Sequence, residues 1–327
     1  MFIPIGDEPN ARTFPVINYA LIAVNVAVFA LISLPLMAQP VDSRDPMVQA
    51  LLHELARQHP DLDPYTLLHE LRQLSAYDVF LMRWGYRAAE PSLVTLITSM
   101  FLHGGWLHII GNMLFLWIYG DNVEHRLGRV GYLGAYLASG VAATLGYAAV
   151  LPGSAGYTPL VGASGAISGV LGCYFVWFPR NRVRLLIALL PFYVDVWRVN
   201  ARVVLGVYVV IDNLLPFLLA DSGASGVAHG AHLGGFLAGA AGAVVLDRLN
   251  DQGQRRAGTG DGTTARALLG IGLGLLERGD PARAYQYLTR VLAMNAEPEV
   301  EERARQAMEA IAGQQKLQVR SRRWPPR

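Results

Sequence analysis

Residues 161–172 read VGASGAISGVLG, and they lie inside a fifty-residue run, 130–179, that contains no Asp, Glu, Lys or Arg. A run of that length is too long for one element of a soluble core and long enough to cross a bilayer twice. Ser164 stands in it in a G-x-S-G setting. A hydroxyl that is to act as a nucleophile in so dry a place needs a base, an anion hole and access to water.

Hydrophobic residues make up 53% of the chain and charged residues 16%, with the charges gathered into short intervals, which is the pattern of a polytopic membrane protein. The formal net charge of +2 says little about partners, and nothing in its distribution points to nucleic acid. Lys316 is the one lysine, so arginine carries the basic signal. The single cysteine, Cys173, excludes an internal disulfide framework and reads as a small buried apolar side chain.

Residues 1–13 are short and polar, and 14–37 form an apolar run of span length, too long for the apolar part of a signal peptide. Segment 39–90 turns soluble. It carries LLHELARQ at Leu51 and LLHELRQL at Leu67, a pair of amphipathic helices in which His53, His59 and His69 read as solvated. A second apolar stretch, 91–120, holds His103, His108 and Asn112 before the charged turn DNVEHRLGR at 121–129. Further spans are expected at 130–151, 161–178, 203–220 and 223–246, with LLIALLPFYVDVW, from Leu185, lying at the interface. The expectation is an all-α bundle of six spans within 14–248. A linker at 249–264, a helical tail at 265–315 and a basic end at 316–327 follow. The arginines of 126–129, 180–202 and 248–256 fall on the side of the termini, so the positive-inside rule makes that side cytoplasmic and puts 39–90 outside.

Three spans place a polar residue at one depth. Counted from the outer ends of their helices, near Gly104, Pro159 and Ser225, residues His108, Ser164 and His232 are each about four to seven residues in, or roughly 6 to 10 Å. His108 and Asn112, at i and i+4, share a face and suit donation to a developing oxyanion. Gly165 and Gly169 follow Ser164, and Gly235 and Gly239 follow His232. Together with Gly162 they read as packing glycines at the site, because small residues let membrane helices approach closely. G-A-S-G recurs at 223–226, but Ser225 is about 10 Å along the helix from His232 and reads as a loop or helix-start residue.

TSMFLHGGWLHIIGN, GASG and AHLGGFLAG, in that order, resemble the rhomboid family of intramembrane serine proteases over about 15–246. The resemblance implies a six-helix membrane fold and a serine-histidine dyad in a water-filled cavity open to the outer face. Ser164 would be the nucleophile and His232 the general base. Ser164 N–H with His108 and Asn112 would form the oxyanion hole, and His229, one helical turn earlier, would have a structural hydrogen-bonding role. No cofactor or metal is implied. Two features depart from the family. The interval before the second span lacks the Trp-Arg pair of many members, and Ser168 stands where some carry a tyrosine packed on the catalytic histidine. Asp212 is the one acid within a span, but the resemblance argues against a triad through it.

The implied substrates are transmembrane proteins, cut at locally unwound segments near the outer face. Residues 275–298, LLERGDPARAYQYLTRVLAMNAEP, resemble a tetratricopeptide hairpin and suggest either a cytoplasmic protein partner or a packing appendage. The pattern of arginines and the lack of a transit peptide favour a bacterial cytoplasmic membrane. Two other readings stay open: a rhomboid-like protein that binds membrane clients without cutting them, and a metal transporter using His103, His108, His229 and His232. The second lacks an intramembrane carboxylate at the same depth.

Overall fold

The computed structural model describes residues 2–58, 74–150, 156–189, 193–219, 228–258, 262–294 and 296–321. Four helices are long and apolar enough to cross a membrane: α1 (Val16–Met37), α5 (Trp106–Val150), α7 (Ala201–Leu219) and the His229–Asp251 part of α8 (His229–Gly258). A shorter apolar helix, α6 (Ser164–Trp177), lies among them. Gly128, at φ 71° and ψ 169°, breaks the 45-residue α5 into two arms. That backbone conformation is open to glycine and costly for other residues. The arms fold back on each other, since Asn18 of α1 donates through Nδ2 to the Leu116 carbonyl of one (3.0 Å) and accepts from the Tyr132 hydroxyl of the other (2.7 Å).

Helix α6 is apolar all round, and its position follows from that. Ala166 through Tyr174 are all buried, whereas Leu31, Leu107, Val130 and Leu219 on the surrounding helices turn outward with 76% or more of their surface free. Such an outer surface would be a liability in water and is the ordinary boundary with lipid. The motif serine is thereby placed on the innermost helix.

The charged turn expected at 121–129 is helical as far as the break at Gly128, and its acids face inward. Glu124 accepts from the backbone N–H of Ile17 (3.0 Å) and of Asn18 (2.7 Å), so a carboxylate more than a hundred residues away caps the first turn of α1. Pro15, at the N-cap, offers that turn no side-chain acceptor. The segment from Leu185, expected at the interface, is extended rather than helical. It pairs as β2 (Arg182–Leu189) with β3 (Tyr193–Asn200), and β1 (Phe2–Glu8), from the short polar N-terminus, completes an antiparallel sheet in the order β1-β2-β3. Val183 and Ile187 point to the core while Arg182 and Arg184 alternate with them. Beneath the sheet, Asp7 Oδ2 takes hydrogen bonds from Asn122 Nδ2 (2.7 Å), Asn181 Nδ2 (3.4 Å) and the Tyr174 hydroxyl. This polar node lies at the C-terminal end of α6, away from Ser164.

In segment 39–90, α2 (Pro46–Gln58) and α3 (Ala76–Trp84) form a small core around Val48 and Val79, and Ser75 with Asp78 forms a capping box at α3. All but Leu74 of the second LLHELRQL copy, like Ser225, falls outside the described residues. α4 (Leu93–Thr98) and a 3₁₀ turn then lead to α5.

Residues 1–244 and 245–327 are separate compact units. In the second, α9 (Gly262–Glu277), α10 (Pro281–Ala293) and α11 (Pro298–Ser321) bury Leu269, Leu288, Val291, Val300 and Ile311 in their own core. α9 and α10 lie close to where the amphipathic pattern predicts them, whereas α11 runs on to Ser321, past the tail's expected end at 315 and into the basic end. The expected linker at 249–264 is shorter, because α8 continues to Gly258.

Candidate active site

The chain reaches Ser164 along an extended segment rather than from within a helix. Leu160 exchanges two backbone hydrogen bonds with Tyr86 (2.8 and 3.0 Å), Gly162 turns at φ 123°, and α6 begins at Ser164 itself. The first N–H groups of a helix have no partner within it, so those of Ser164 and Gly165 stand at its positive end. His108 is the third residue of α5 and His232 the fourth of α8, so the three helices start at nearly one level.

Ser164 Oγ lies 2.7 Å from His232 Nε2, and His232 Nδ1 lies 2.7 Å from Asn213 Oδ1. Glycine makes the first contact reachable. A Cβ on Gly235 would collide with the Gly165 carbonyl, and one on Gly239 with that of Gly169. Cys173 Sγ adds a bond to the Gly239 carbonyl at 3.3 Å. Helices α6 and α8 therefore touch backbone to backbone, and in lipid such packing takes over the role that hydrophobic burial plays in water. Gly162 differs from the other four: it is not helical and packs no helix. Its missing side chain leaves room for His108, whose Nε2 would be 2.7 Å from a Cβ there.

His108 accepts the Gly104 N–H at its Nδ1 (3.2 Å). An acceptor nitrogen carries no hydrogen, so the neutral ring has its hydrogen on Nε2, beside Gly162 and toward Ser164. Asn112, one turn on, is buried, and its Nδ2 has no hydrogen-bond partner among the described residues. A buried amide donor left unmet is costly unless something else occupies it. Ser164, His232, His108 and Asn112 all line one cavity of about 1280 Å³, bounded further by Tyr147 and Phe217.

His103 is fully buried with its ring edge-on to that of His108 at 5.1 Å, and does not line the cavity. His229 also lines it, and its Nδ1 is buried with no partner among the described residues. No group of three or more metal-ligating side chains occurs among the described residues. Asp212 is exposed, and it is its neighbour Asn213 that turns inward. The sequence reading missed Asn213. An amide in an apolar span was the available signal, since its burial needs a reason. Ser168 bonds through Oγ to Tyr208 Oη (2.8 Å), so a tyrosine does reach this level of α6, from α7.

A model of the Rhomboid domain matches residues 90–248. Putative rhomboid protease YdcA of Bacillus subtilis (strain 168) is 32% identical over 142 residues, which are 40% of this chain and 70% of that protein. The chain belongs to the rhomboid family. Rhomboid-like protein 11, chloroplastic, of Arabidopsis thaliana is 31% identical over 159 residues, 46% of this chain and 51% of that one. Presenilin-associated rhomboid-like protein, mitochondrial, of Bos taurus is 31% identical over 147 residues, 44% of this chain and 36% of that one. This rhomboid thus spans about half the length, or less, of the last two. With its apolar helices, the family makes it an integral membrane protein. The family match begins after α1 and the small helical segment.

Proposed function

We propose that this rhomboid is an intramembrane serine endopeptidase working through a dyad of Ser164 and His232. The observation that carries the reading is the 2.7 Å approach of Ser164 Oγ to His232 Nε2 inside a cavity large enough for a peptide segment and water. In the reaction, Oγ attacks the scissile carbonyl carbon as its proton passes to Nε2. Negative charge then develops on the carbonyl oxygen, for which Ser164 N–H, His108 Nε2–H and Asn112 Nδ2 are the donors in this reading. The imidazolium returns the proton to the leaving amine, and water entering the cavity repeats the sequence in reverse on the acyl-enzyme. A dyad suffices if the histidine's tautomer is held by its surroundings.

The substrates in this reading are transmembrane helices cut near the outer face, where small or helix-breaking residues let the chain unwind. Six crossings follow if the two arms of α5 each count as one and α6 as another. Cytoplasmic termini, an outward-facing site and a bacterial inner membrane follow from the arginine distribution. The tail of three helices would serve a cytoplasmic protein partner. The test is cleavage of a model transmembrane substrate by the purified full chain in proteoliposomes. Wild type is expected to cut and Ser164→Ala to be inert, and a Ser164→Ala variant that cuts as well as wild type removes the assignment.

A further inference from the structure

Asn213 has an unusual address for an amide: it is 2% exposed, in the middle of an apolar span, inside the π-helical segment Val210–Leu214 that interrupts α7. Insertions of this kind are frequent at functional sites. Both ends of its amide are spoken for, and together they dictate where hydrogens lie. Nδ2 donates to the Tyr208 carbonyl (2.8 Å), and because a carbonyl can only accept, this end must be the NH₂. The other end is then the oxygen, 2.7 Å from His232 Nδ1. An amide oxygen also only accepts, so Nδ1 must carry a hydrogen. In the neutral imidazole, Nε2 is then left with a bare lone pair, and it faces Ser164 Oγ at 2.7 Å. A single backbone carbonyl, that of Tyr208, thereby sets the direction of three consecutive hydrogen bonds ending at the serine hydroxyl. The same Tyr208 is bound through Oη to Ser168, one turn beyond Ser164 on α6. The platform that orients the histidine is tied to the helix that carries the nucleophile.

We propose that Asn213 is a positioning residue that holds His232 in the Nδ1–H tautomer with its Nε2 lone pair aimed at Ser164. The inference rests on the protease reading for its kinetic consequence, but the tautomer itself does not. Asn213 is neutral, so it orients the ring without adding a buried charge to a site already lined by His108 and His229. When His232 takes the serine's proton, Oδ1 goes on accepting from Nδ1–H, and the ring need not turn between steps.

Two measurements test this. In ¹⁵N-histidine-labelled full-length protein in lipid, the His232 resonances, identified by their loss in His232→Gln, are expected to show a protonated Nδ1 and an unprotonated Nε2. The opposite tautomer overturns the proposal. In the proteoliposome assay, Asn213→Leu, of similar volume but without an acceptor, is expected to lower kcat by ~10²- to 10³-fold, below the ~10⁴-fold cost of losing a carboxylate in this role. KM should stay within about threefold, and labelling of Ser164 by a fluorophosphonate should slow in parallel. Asn213→Asp, which keeps an acceptor, is expected to recover to within about tenfold of wild type. Wild-type kcat and labelling in Asn213→Leu, or equal impairment of Leu and Asp variants, overturns the positioning role. If wild type fails to cut, or Ser164→Ala cuts, it is the protease reading that falls, while the tautomer measurement still decides Asn213. The same measurement decides the matter if Asn213→Leu does not fold.

Discussion

Replacing Gly162 by alanine adds one methyl group to the turn that delivers the serine, and the structure says what it meets. Its Cβ would stand 2.7 Å from His108 Nε2, 2.8 Å from Cε1 and 3.5 Å from Ser164 Oγ. The first contact is about 0.7 Å short of ordinary van der Waals distance, so the His108 ring must retreat by that amount. Retreat is along the direction in which Nε2–H faces the site. The backbone adds a second cost, because φ 123° is outside the range an alanine adopts freely, at about 1–3 kcal/mol. A displacement of 1 Å in a reacting constellation costs about 10²-fold. Gly162→Ala is accordingly expected to lower kcat by about 30- to 100-fold, with KM little changed, since in the proposed mechanism His108 bonds the oxyanion and not the bound ground state. Its thermal midpoint in detergent should fall by several degrees. Gly146→Ala serves as the control, being helical with open space around its missing Cβ. The assay is steady-state cleavage of a fluorogenic transmembrane substrate in proteoliposomes. A kcat within threefold of wild type would mean that His108 does not act through the position argued here.

Asn112→Ala removes the unmet Nδ2 donor and is expected to cost about 10²- to 10³-fold in kcat with KM nearly constant; unchanged kcat in the same assay would exclude Asn112 from the anion hole. Asp7 carries a pH dependence at the other end of the bundle. Burial raises its pKa above the ordinary carboxylate value, against the lowering effect of bonds from Tyr174, Asn181 and Asn122. The folded state therefore binds the Asp7 proton more tightly than the unfolded chain, and this contribution to stability is lost as pH rises through the raised value. Asp7→Asn, which keeps an acceptor and drops the charge, is expected to gain thermal midpoint relative to wild type as pH is raised from about 4 to 8. A constant difference across that range would refute the assignment.

The sequence shows where the reaction is to be sought because the site residues are polar side chains in spans that otherwise have few, and because glycine spacing marks which helices touch. Ser164, His232, His108 and Asn112 are all brought to one cavity for that reason. What it hides is whatever depends on a partner distant in the chain. The apolar pattern of LLIALLPFYVDVW does not say that its first half is a strand, because the partner that pairs with it, β1, lies some 180 residues earlier. The acids of 121–129 look solvated until Glu124 is seen capping α1. Asn213 was overlooked beside Asp212, because the π-helical segment rotates the register of α7 and no local pattern announces it. Gly162 was grouped with the packing glycines by its neighbourhood, while its work is to leave room for a ring.

Helix α6, at 14 residues, is about 21 Å long, against about 30 Å of hydrocarbon in a bilayer. Because Ser164 is its first residue, the protease reading turns the shortfall into a notch sunk from one face of the membrane, with the proposed nucleophile as its floor. On that reading the protein carries a ruler in its own chain: how deep a cut falls is counted in residues of one helix. Lengthening α6 by two turns at its far end would raise the floor by roughly 10 Å and bring the hydroxyl level with the lipid headgroups.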